Sequence, residues 1–554
     1  MTSKASIRPY LNQAYLLGLL MVAAGLTLSP FLMGMSQFWL VLVWLVDGFS
    51  TKTIREKLSR FWHNKAAVLL VAFYLMHIVG LLWTVDFQYA LKDLRVKLPI
   101  LVMPFVLSSM EPLDRKRFDF VMLVYVLSVF VATQVSFFTY LRHDYDDVRE
   151  ISQFISHIRF CLNIVFCITI TGYYLIKTKT RVPEHVEGSV KHPVPTFRIK
   201  TFVDRFLQCF MLFWFVYQIY IYESLSGYVI LAVVAAVTVV YAFLRWQKGR
   251  GWRIAIAILA MSVVVTAVVV VWREVKPLLK VEPVDFATLE KKTAQGNDYW
   301  HDTIHNPVED GRYVGLYYCR KELKEAWLQR SSLPLDDSAT DGGISESTLA
   351  RYLTSKGLRK DAQGVMALTD EDVRNIEQGV ANYNNWQHPG LRARLSSTLF
   401  EYSLYRKYNN PNGGSLSQRI EFTRASFHLI GKHPWFGVGT GDVPQAFSQA
   451  YDEIHSPLAE EYRFRAHNQY LSIAVAFGFV GLAFFLFVLF YPWLASRRNH
   501  TYLYTVFLCI MLLSMFPEDT LETQAGAMLF AFFTALLLFS FPRTKSDQKP
   551  SLRT

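Results

Sequence analysis

The sequence predicts an all-α polytopic membrane protein with about twelve membrane-spanning helices and one large, mostly helical outer loop. The first observation is composition: 52% of the 554 residues are hydrophobic, and many of them stand in long apolar runs. Several runs exceed the roughly 18 residues that a helix needs to cross a bilayer. The second observation is a single long polar stretch, residues 273–466, between the ninth and tenth runs. The third is an alternation of basic and acidic connectors, which predicts the orientation.

The apolar runs define the predicted spans. They lie at residues 13–29, 31–49, 66–84, 94–109, 118–141, 157–177, 203–221, 223–244, 253–272, 467–494, 501–516 and 525–541. Each run is predicted to be helical, because a bilayer offers no partner to unpaired backbone N–H and C=O groups.

Connector charge predicts which ends of the spans face the cytoplasm. Basic residues cluster after the second, fourth, sixth, eighth, tenth and last runs, whereas the other connectors are short or acidic, such as 143–147 and 517–522. The positive-inside rule therefore places both termini in the cytoplasm and residues 273–466 outside. The same pattern accounts for the net charge of +12, so we expect membrane lipid rather than nucleic acid as a partner.

The chain is accordingly predicted to have four parts: spans one to nine in residues 1–272, the outer loop in 273–466, spans ten to twelve in 467–541 and a cytoplasmic tail in 542–554. Helical patterns within the loop occupy 319–330, 347–358 and 369–383. Thr369 and Asp372 have the spacing of a helix cap. We expect this loop to rest on the membrane portion rather than to form a domain of its own.

A further helix is predicted at residues 416–430. Ser415 and Gln418 have capping-box spacing, Gly431 can end the helix, and Pro434 forbids its continuation. Its apolar face is predicted to contain Leu416, Ile420 and Phe427.

His467 is the first candidate for chemistry, because it stands where the outer loop becomes the tenth span. The positive end of the helix dipole disfavours an imidazolium there, and a neutral imidazole can accept a proton from an attacking hydroxyl. The alternative is an interfacial histidine that only hydrogen-bonds a carbonyl.

Arginines near His467 and inside the spans form the second set of candidates. They are Arg419, Arg424, Arg463, Arg465, Arg95 and Arg159. Guanidinium groups can bind a phosphate or diphosphate in bidentate fashion. For any one of them the alternative is a surface or lipid-headgroup contact, and for Arg95 it is extension towards the interface. Arg159 lies inside an apolar run, where a charge usually faces a polar cavity, which favours a functional role.

Two loops remain. The segment GVGTGD at 437–442 lacks the Lys-Ser/Thr pair of a phosphate-binding Walker loop, so its glycines predict a tight turn, with anion binding by its amides as the alternative. The acidic residues Glu518, Asp519 and Glu522 are interpreted as a solvated connector, although they could bind a metal or sugar hydroxyls. The spacing of His, Cys and acidic residues predicts no metal site.

The string QRIEFTRASFHLIGKHPWFGVGTGD, followed by RAHNQYLSIAVAFGFVGL, resembles the O-antigen ligase family. That superfamily also includes O-antigen polymerases and protein O-oligosaccharyltransferases. The resemblance lies in Arg419, in a P-x-x-G-x-G-x-G turn, and in a His-Asn pair that opens a membrane helix with glycines further on. These residues are Pro434, Gly437, Gly439 and Gly441 of the turn, His467 and Asn468 of the pair, and Gly478 and Gly481 of the helix.

This resemblance implies an inner-membrane glycosyltransferase of the all-helical (GT-C-like) type, with its active site facing the periplasm. Such enzymes move a glycan from undecaprenyl diphosphate to an acceptor hydroxyl, with lipid A-core as the acceptor of a ligase, and the resemblance implies no cofactor or metal. It makes His467 the base or acceptor-orienting residue, and Arg419 and Arg159 the diphosphate ligands.

One residue departs from the family pattern. Leu225 stands where the resemblance leads us to expect an arginine, and Arg463 or Arg465 is the candidate replacement. Polymerase and protein O-oligosaccharyltransferase activities remain open on the same scaffold. A transporter or lipid flippase is the alternative of another class, although the sequence has no internal repeat of the kind that many transporters contain.

Overall fold

Helices make up most of this structure, which is a computed structural model. It describes residues 2–142, 148–177, 196–222, 224–245, 271–336, 343–388, 390–496 and 499–540, and five isolated positions between 258 and 269. Most of the predicted ninth span, the acidic connector 143–147 and the predicted tail 542–554 lie outside these residues.

The membrane portion contains twelve of the helices described. They are α1 (Thr2–Leu28), α2 (Pro30–Thr51), α3 (Ile54–His63), α4 (Lys65–Val79), α5 (Phe87–Ser109), α6 (Arg115–Arg142), α7 (His157–Lys177), α8 (Thr196–Ile221), α9 (Leu225–Arg245), α18 (Gln469–Leu494), α19 (Tyr502–Ser514) and α20 (Gln524–Phe539). Among the described residues, six helical segments are long and apolar enough to cross a membrane: Ile7–Leu28, Pro30–Thr51, Lys65–Trp83, Arg115–Arg142, His157–Ile176 and Gln469–Leu494. Shorter apolar helices occupy Leu225–Tyr241, Tyr502–Ser514 and Gln524–Phe539. The chain is thus a helical membrane protein.

The described part of the outer loop contributes eight short to medium helices. They are α10 (Arg320–Arg330), α11 (Glu346–Ser355), α12 (Ala362–Met366), α13 (Asp370–Glu377), α14 (Tyr383–Gln387), α15 (Leu391–Tyr408), α16 (Ser415–Lys432) and α17 (Val443–Glu453). Two strand pairs accompany them, β1 (Val308–Glu309) antiparallel to β2 (Arg312–Tyr313), and β3 (Leu335–Asp336) parallel to β4 (Ile344–Ser345).

The predicted loop helices agree with α10, α11 and α13, and Thr369 and Asp372 form the predicted capping box. The loop also contains a hydrophobic cluster that the sequence did not predict. Leu323, Trp327, Leu353 and other side chains from α10 to α13 form a hydrophobic cluster separate from that of the membrane portion.

The details predicted for α16 were also wrong. Gly414, not Ser415, is its N-cap residue, no side chain caps it, and the helix continues to Lys432. The predicted apolar residues Leu416 and Phe427 are exposed. The face that packs inward contains Phe422, Ala425, Leu429 and Ile430.

The glycine-rich turn is inserted into a break in α18. Gly478 has φ 65° and ψ −166°, which interrupts the helix, and a Cβ there would lie 2.2 Å from the carbonyl carbon of Trp435. The broken helix presents carbonyls that accept bonds from the turn: Val438 N donates to Val475 O at 2.9 Å, and Gly439 N to Ala476 O at 2.9 Å. The sequence predicted a tight turn here. The structure adds that the turn holds the break in α18 in place through these two hydrogen bonds.

The same turn also ties α18 to the start of α5. Asp442 accepts hydrogen bonds from the backbone N–H groups of Val85, at 3.0 Å, and Asp86, at 2.8 Å. Thr440 Oγ1 donates to His77 O of α4 at 2.6 Å. Helices α4, α5 and α18 are therefore held together at the end where His467 lies.

Candidate active site

His467 lies immediately before α18, in a conformation that side chains rarely adopt. Its φ is 45°, a left-handed value that costs a non-glycine residue free energy and persists where neighbours fix it. Asn468 supplies part of that fixation: its side chain caps α18 by accepting from Leu471 N at 3.1 Å and donates to Phe516 O at 2.9 Å. The imidazole stacks on Phe422 of α16 with ring centroids 5.3 Å apart. The histidine is thus fixed between α16 and α18, and about a third of its side chain is exposed.

Two carboxylates face the imidazole. His467 Nδ1 lies 3.7 Å from Glu518 Oε2 and 4.0 Å from Asp519 Oδ1. Glu518 is 8% exposed and Asp519 is 3% exposed. The interpretation of this connector as a solvated acidic loop was therefore wrong, because its carboxylates are buried against basic side chains from other segments of the chain.

Glu518 joins the histidine to two of the predicted arginines. Its Oε1 lies 3.0 Å from Arg419 Nη2, and its Oε2 lies 4.0 Å from Arg159 Nη2. Arg159 also donates from Nη1 to Ser156 Oγ at 2.8 Å, but its Nε is buried without a hydrogen-bond partner among the described residues. Arg159 and Arg419 thus converge on the carboxylate beside His467, although 260 positions separate them in the numbering.

A second cluster of charged side chains holds the acidic connector, residues 517–522, in place. Arg465 Nε lies 2.8 Å from Asp519 Oδ2, and its Nη1 lies 3.1 Å from Glu522 Oε2. Lys97 of α5 reaches Glu522 at 2.6 Å and Asp93 at 2.5 Å. These buried ion pairs fix residues 518–522 relative to α5.

Gln469, which is fully buried, completes the support of the connector. Its Oε1 accepts from Leu521 N at 2.6 Å, and its Nε2 donates to Glu522 Oε1 at 3.1 Å. Because Gln469 follows Asn468 in the first turn of α18, the helix that positions His467 also positions the carboxylates.

The pKa values of the two carboxyl groups shift in opposite directions because their surroundings differ. Burial alone raises the pKa of Glu518, but its interactions with His467, Arg419 and Arg159 outweigh burial and lower it. Burial raises the pKa of Asp519, and Arg465 and His467 only partly offset that effect. Glu518 is thus the carboxylate held ionised beside the imidazole.

The other predicted arginines do not join this cluster. Arg463 Nη1 pairs with Asp452 at 2.7 Å and Arg424 Nη1 with Glu421 at 2.7 Å. Arg95 is exposed on α5. At the position where the resemblance led us to expect an arginine, Leu225 is the first residue of α9. Of the two candidate replacements, Arg465 is the one that lies in the site.

Glu421, on the buried side of α16, fixes the helix that presents Arg419. It is fully buried, and it accepts hydrogen bonds from Tyr405 at 2.6 Å, Arg424 at 2.7 Å and Ser456 at 2.7 Å. Burial alone would raise the pKa of this carboxyl group, but these three donors lower it. Such a group is ionised, and its hydrogen bonds connect α16 to α15 and to the segment that follows α17.

A cavity next to the site has room for substrate. A cavity of about 320 Å³ adjoins the second cluster, with lining residues that include Tyr89, Lys92, Phe447, Phe464 and Arg465.

Three side chains of the site are close enough together to bind a cation. Ligand atoms of His467, Glu518 and Asp519 lie within 4.8 Å of one another. The sequence predicted no metal site, yet these three side chains could hold a divalent ion. The neighbouring arginines compete for the same carboxylates.

Comparison with known proteins agrees with the sequence resemblance. Residues 391–486 match the O-antigen ligase family model. The matched segment covers α15, α16, the glycine-rich turn, His467 and the first part of α18. No curated protein matches the chain. The predicted family resemblance is therefore confirmed over this segment, and the matched family is one of glycosyltransferase-like enzymes.

Proposed function

We propose that this protein is an O-antigen ligase, which moves a glycan from undecaprenyl diphosphate to a hydroxyl of lipid A-core. One observation supports this most directly: His467 and Arg419, both inside the segment that matches the family, converge on Glu518 together with Arg159. A base next to two guanidinium groups is the combination that glycosyl transfer from a diphosphate requires.

In the proposed reaction the acceptor hydroxyl attacks the anomeric carbon opposite the diphosphate. Its oxygen forms the new glycosidic bond, its proton passes to His467, and the bonding electrons of the breaking C–O bond pass to a phosphate oxygen. The anomeric configuration is inverted. Because Nδ1 faces Glu518, Nε2 is the nitrogen that accepts the proton, and Glu518 stabilises the imidazolium that results.

Arg419 and Arg159 hold the leaving diphosphate. Guanidinium groups neutralise the negative charge that develops on its oxygens. A metal ion has this role in other phosphate-transfer enzymes. We therefore propose that transfer needs no metal. Activity of the purified protein should persist in excess chelator, and its loss would instead assign a divalent ion to His467, Glu518 and Asp519.

The proposed location is the bacterial inner membrane, with about twelve spans, both termini in the cytoplasm and the site facing the periplasm. On this topology the outer loop, residues 273–466, lies on the side from which the lipid-linked polymer is transferred.

The test compares a deletion strain complemented with wild type, His467→Ala or His433→Ala. His433 lies exposed at the other end of α16 and is the matched control. We expect the lipid A-linked ladder to vanish only with His467→Ala, while carrier-linked polymer of normal length accumulates. Lipid A that carries a single repeat unit would indicate a polymerase. An unchanged lipid A ladder together with loss of protein-linked glycan would indicate a protein O-oligosaccharyltransferase. Normal transfer by His467→Ala would refute the assignment of the base.

A further inference from the structure

A second cavity lies far from the candidate active site. It has a volume of about 300 Å³ and is lined by residues of α6, α7 and α8. Arg159 is near the start of α7, whereas Thr171 and Tyr174 line the cavity near its end. At about 1.5 Å of rise per residue, twelve residues separate the two places by about 18 Å along the helix. The cavity therefore belongs to the opposite end of the bundle.

The walls of this cavity are polar at one end and apolar elsewhere. At the polar end, Asp119 pairs with Arg115 Nε at 2.9 Å and accepts from the Tyr174 hydroxyl at 2.6 Å. The apolar lining consists of Met122, Leu123, Val126, Ile170 and Met211. On α6 the order runs from Arg115 and Asp119 to Met122 and Val126, so polarity falls along the helix. A ligand that fits must be amphipathic, with its head towards Arg115.

Two buried polar atoms in the lining have no hydrogen-bond partner among the described residues. They are Thr171 Oγ1 and Gln208 Oε1, and Thr171 is only 5% exposed. A buried polar atom left unsatisfied in this way destabilises the fold, because it loses its hydrogen bonds to water and gains none in return. Thr169 provides the contrast, since its Oγ1 donates to Val165 O at 3.1 Å. Thr171 and Gln208 thus offer a hydroxyl donor and an amide acceptor to something that occupies the cavity.

We propose that this cavity binds one molecule of an aminophospholipid. Its phosphate pairs with Arg115, its ammonium group donates to Asp119 and Gln208, and Thr171 donates to an ester carbonyl. An acyl chain covers the apolar lining. A zwitterionic head fits better than an anionic one, because the cation of Arg115 is matched by the carboxylate of Asp119 at the same end. The bound lipid links α6, α7 and α8, and α7 presents Arg159 at its other end.

The test is native mass spectrometry of the purified full-length protein, taken from nanodiscs of equimolar phosphatidylethanolamine and phosphatidylglycerol into delipidating detergent. We expect the wild type to retain one phosphatidylethanolamine. Thr171→Val and Gln208→Leu should each lower its occupancy several-fold, and Val126→Trp, which fills the cavity, should abolish it. Thr169→Val is the matched control and should retain the lipid as wild type does.

Three results would overturn the proposal. The first is equal retention by the wild type and Val126→Trp. The second is a preference for phosphatidylglycerol or for a polyisoprenyl phosphate. The third is complete release of lipid by the wild type, which would leave water as the occupant. Size-exclusion profiles identify any variant that fails to fold, and the nearly isosteric Thr171→Val keeps the test decisive if Val126→Trp does fail.

Discussion

Glu518→Gln isolates the electrostatic role of the carboxylate that faces His467. The amide keeps the size of the side chain and one oxygen for Arg419, but it removes the negative charge 3.7 Å from Nδ1. Two unit charges at this separation interact by about 4 kcal/mol at an effective dielectric constant of about 20. Solvent screens part of this interaction, because a third of the His467 side chain is exposed, and Asp519 remains nearby. We therefore expect a loss of about 2 kcal/mol of imidazolium stabilisation, or about 30-fold in kcat.

The assay is transfer by purified protein with a lipid-linked donor and a saturating acceptor. Glu461→Gln, an exposed acid of the outer loop, is the matched control and should behave as wild type. A double variant with His467→Ala separates the two roles of Glu518. If Glu518 acts through the imidazole, the double variant should be no slower than His467→Ala alone. A kcat of Glu518→Gln within twofold of wild type, or a full additional loss in the double variant, would refute this reasoning.

Three further predictions concern the arginines, the turn and α16. Arg159→Ala should raise the KM for the lipid-linked donor at least tenfold, because it removes a charge-assisted contact, whereas Arg95→Ala should leave it within twofold; donor titrations in the same assay distinguish them. Gly437→Ala should lower the free energy of unfolding by about 2 kcal/mol or more, because a Cβ there meets the α18 backbone at 2.3 Å with φ at 68°. Gly431→Ala, where a Cβ meets nothing within 4 Å, should be neutral or stabilising in the same thermal unfolding experiment. Glu421→Gln should cost about 1 to 3 kcal/mol at neutral pH. Since the folded pKa of Glu421 is lowered, its stabilisation is present above the ordinary glutamate pKa and is lost as the pH falls below about 4, so the difference from wild type should shrink in unfolding measured at acid pH.

Local patterns were sufficient to predict much of the fold. Runs of apolar residues predicted spans that the structure shows as α1, α2, α4, α6, α7 and α18. They did not predict that a charged residue of α5 is buried. Lys97 is only 2% exposed, and it is compensated by Glu522, which is 425 positions away in sequence. A hydropathy pattern has no information about such a partner.

The acidic connector was misinterpreted for the same reason. Three carboxylates within six residues, 517–522, look solvated when only their neighbours in sequence are considered. Their burial depends on Arg419, Arg465 and Lys97, which approach from three different segments. Similarly, Glu421 is a polar residue on the inward face of α16, and its burial is compensated by Arg424 of the same helix and by two donors distant in sequence, Tyr405 and Ser456. Sequence reasoning found the basic half of the site and missed the acidic half.

The division of the site into basic and acidic halves also indicates which cations can bind a diphosphate. Lys97 and Arg465 are each fixed by two carboxylates at hydrogen-bonding distance, so their charge is compensated in the absence of substrate. Arg419 has one such partner and is 38% exposed, and Arg159 lies 4.0 Å from the same carboxylate with its Nε unsatisfied. An incoming diphosphate can therefore recruit Arg159 and Arg419 at the cost of only one shared contact. Recruiting Arg465 or Lys97 would instead leave buried carboxylates unpaired, which is far more costly. If the proposed function is right, the cations that hold the connector, Lys97 and Arg465, and the cations that bind the donor, Arg159 and Arg419, are different residues.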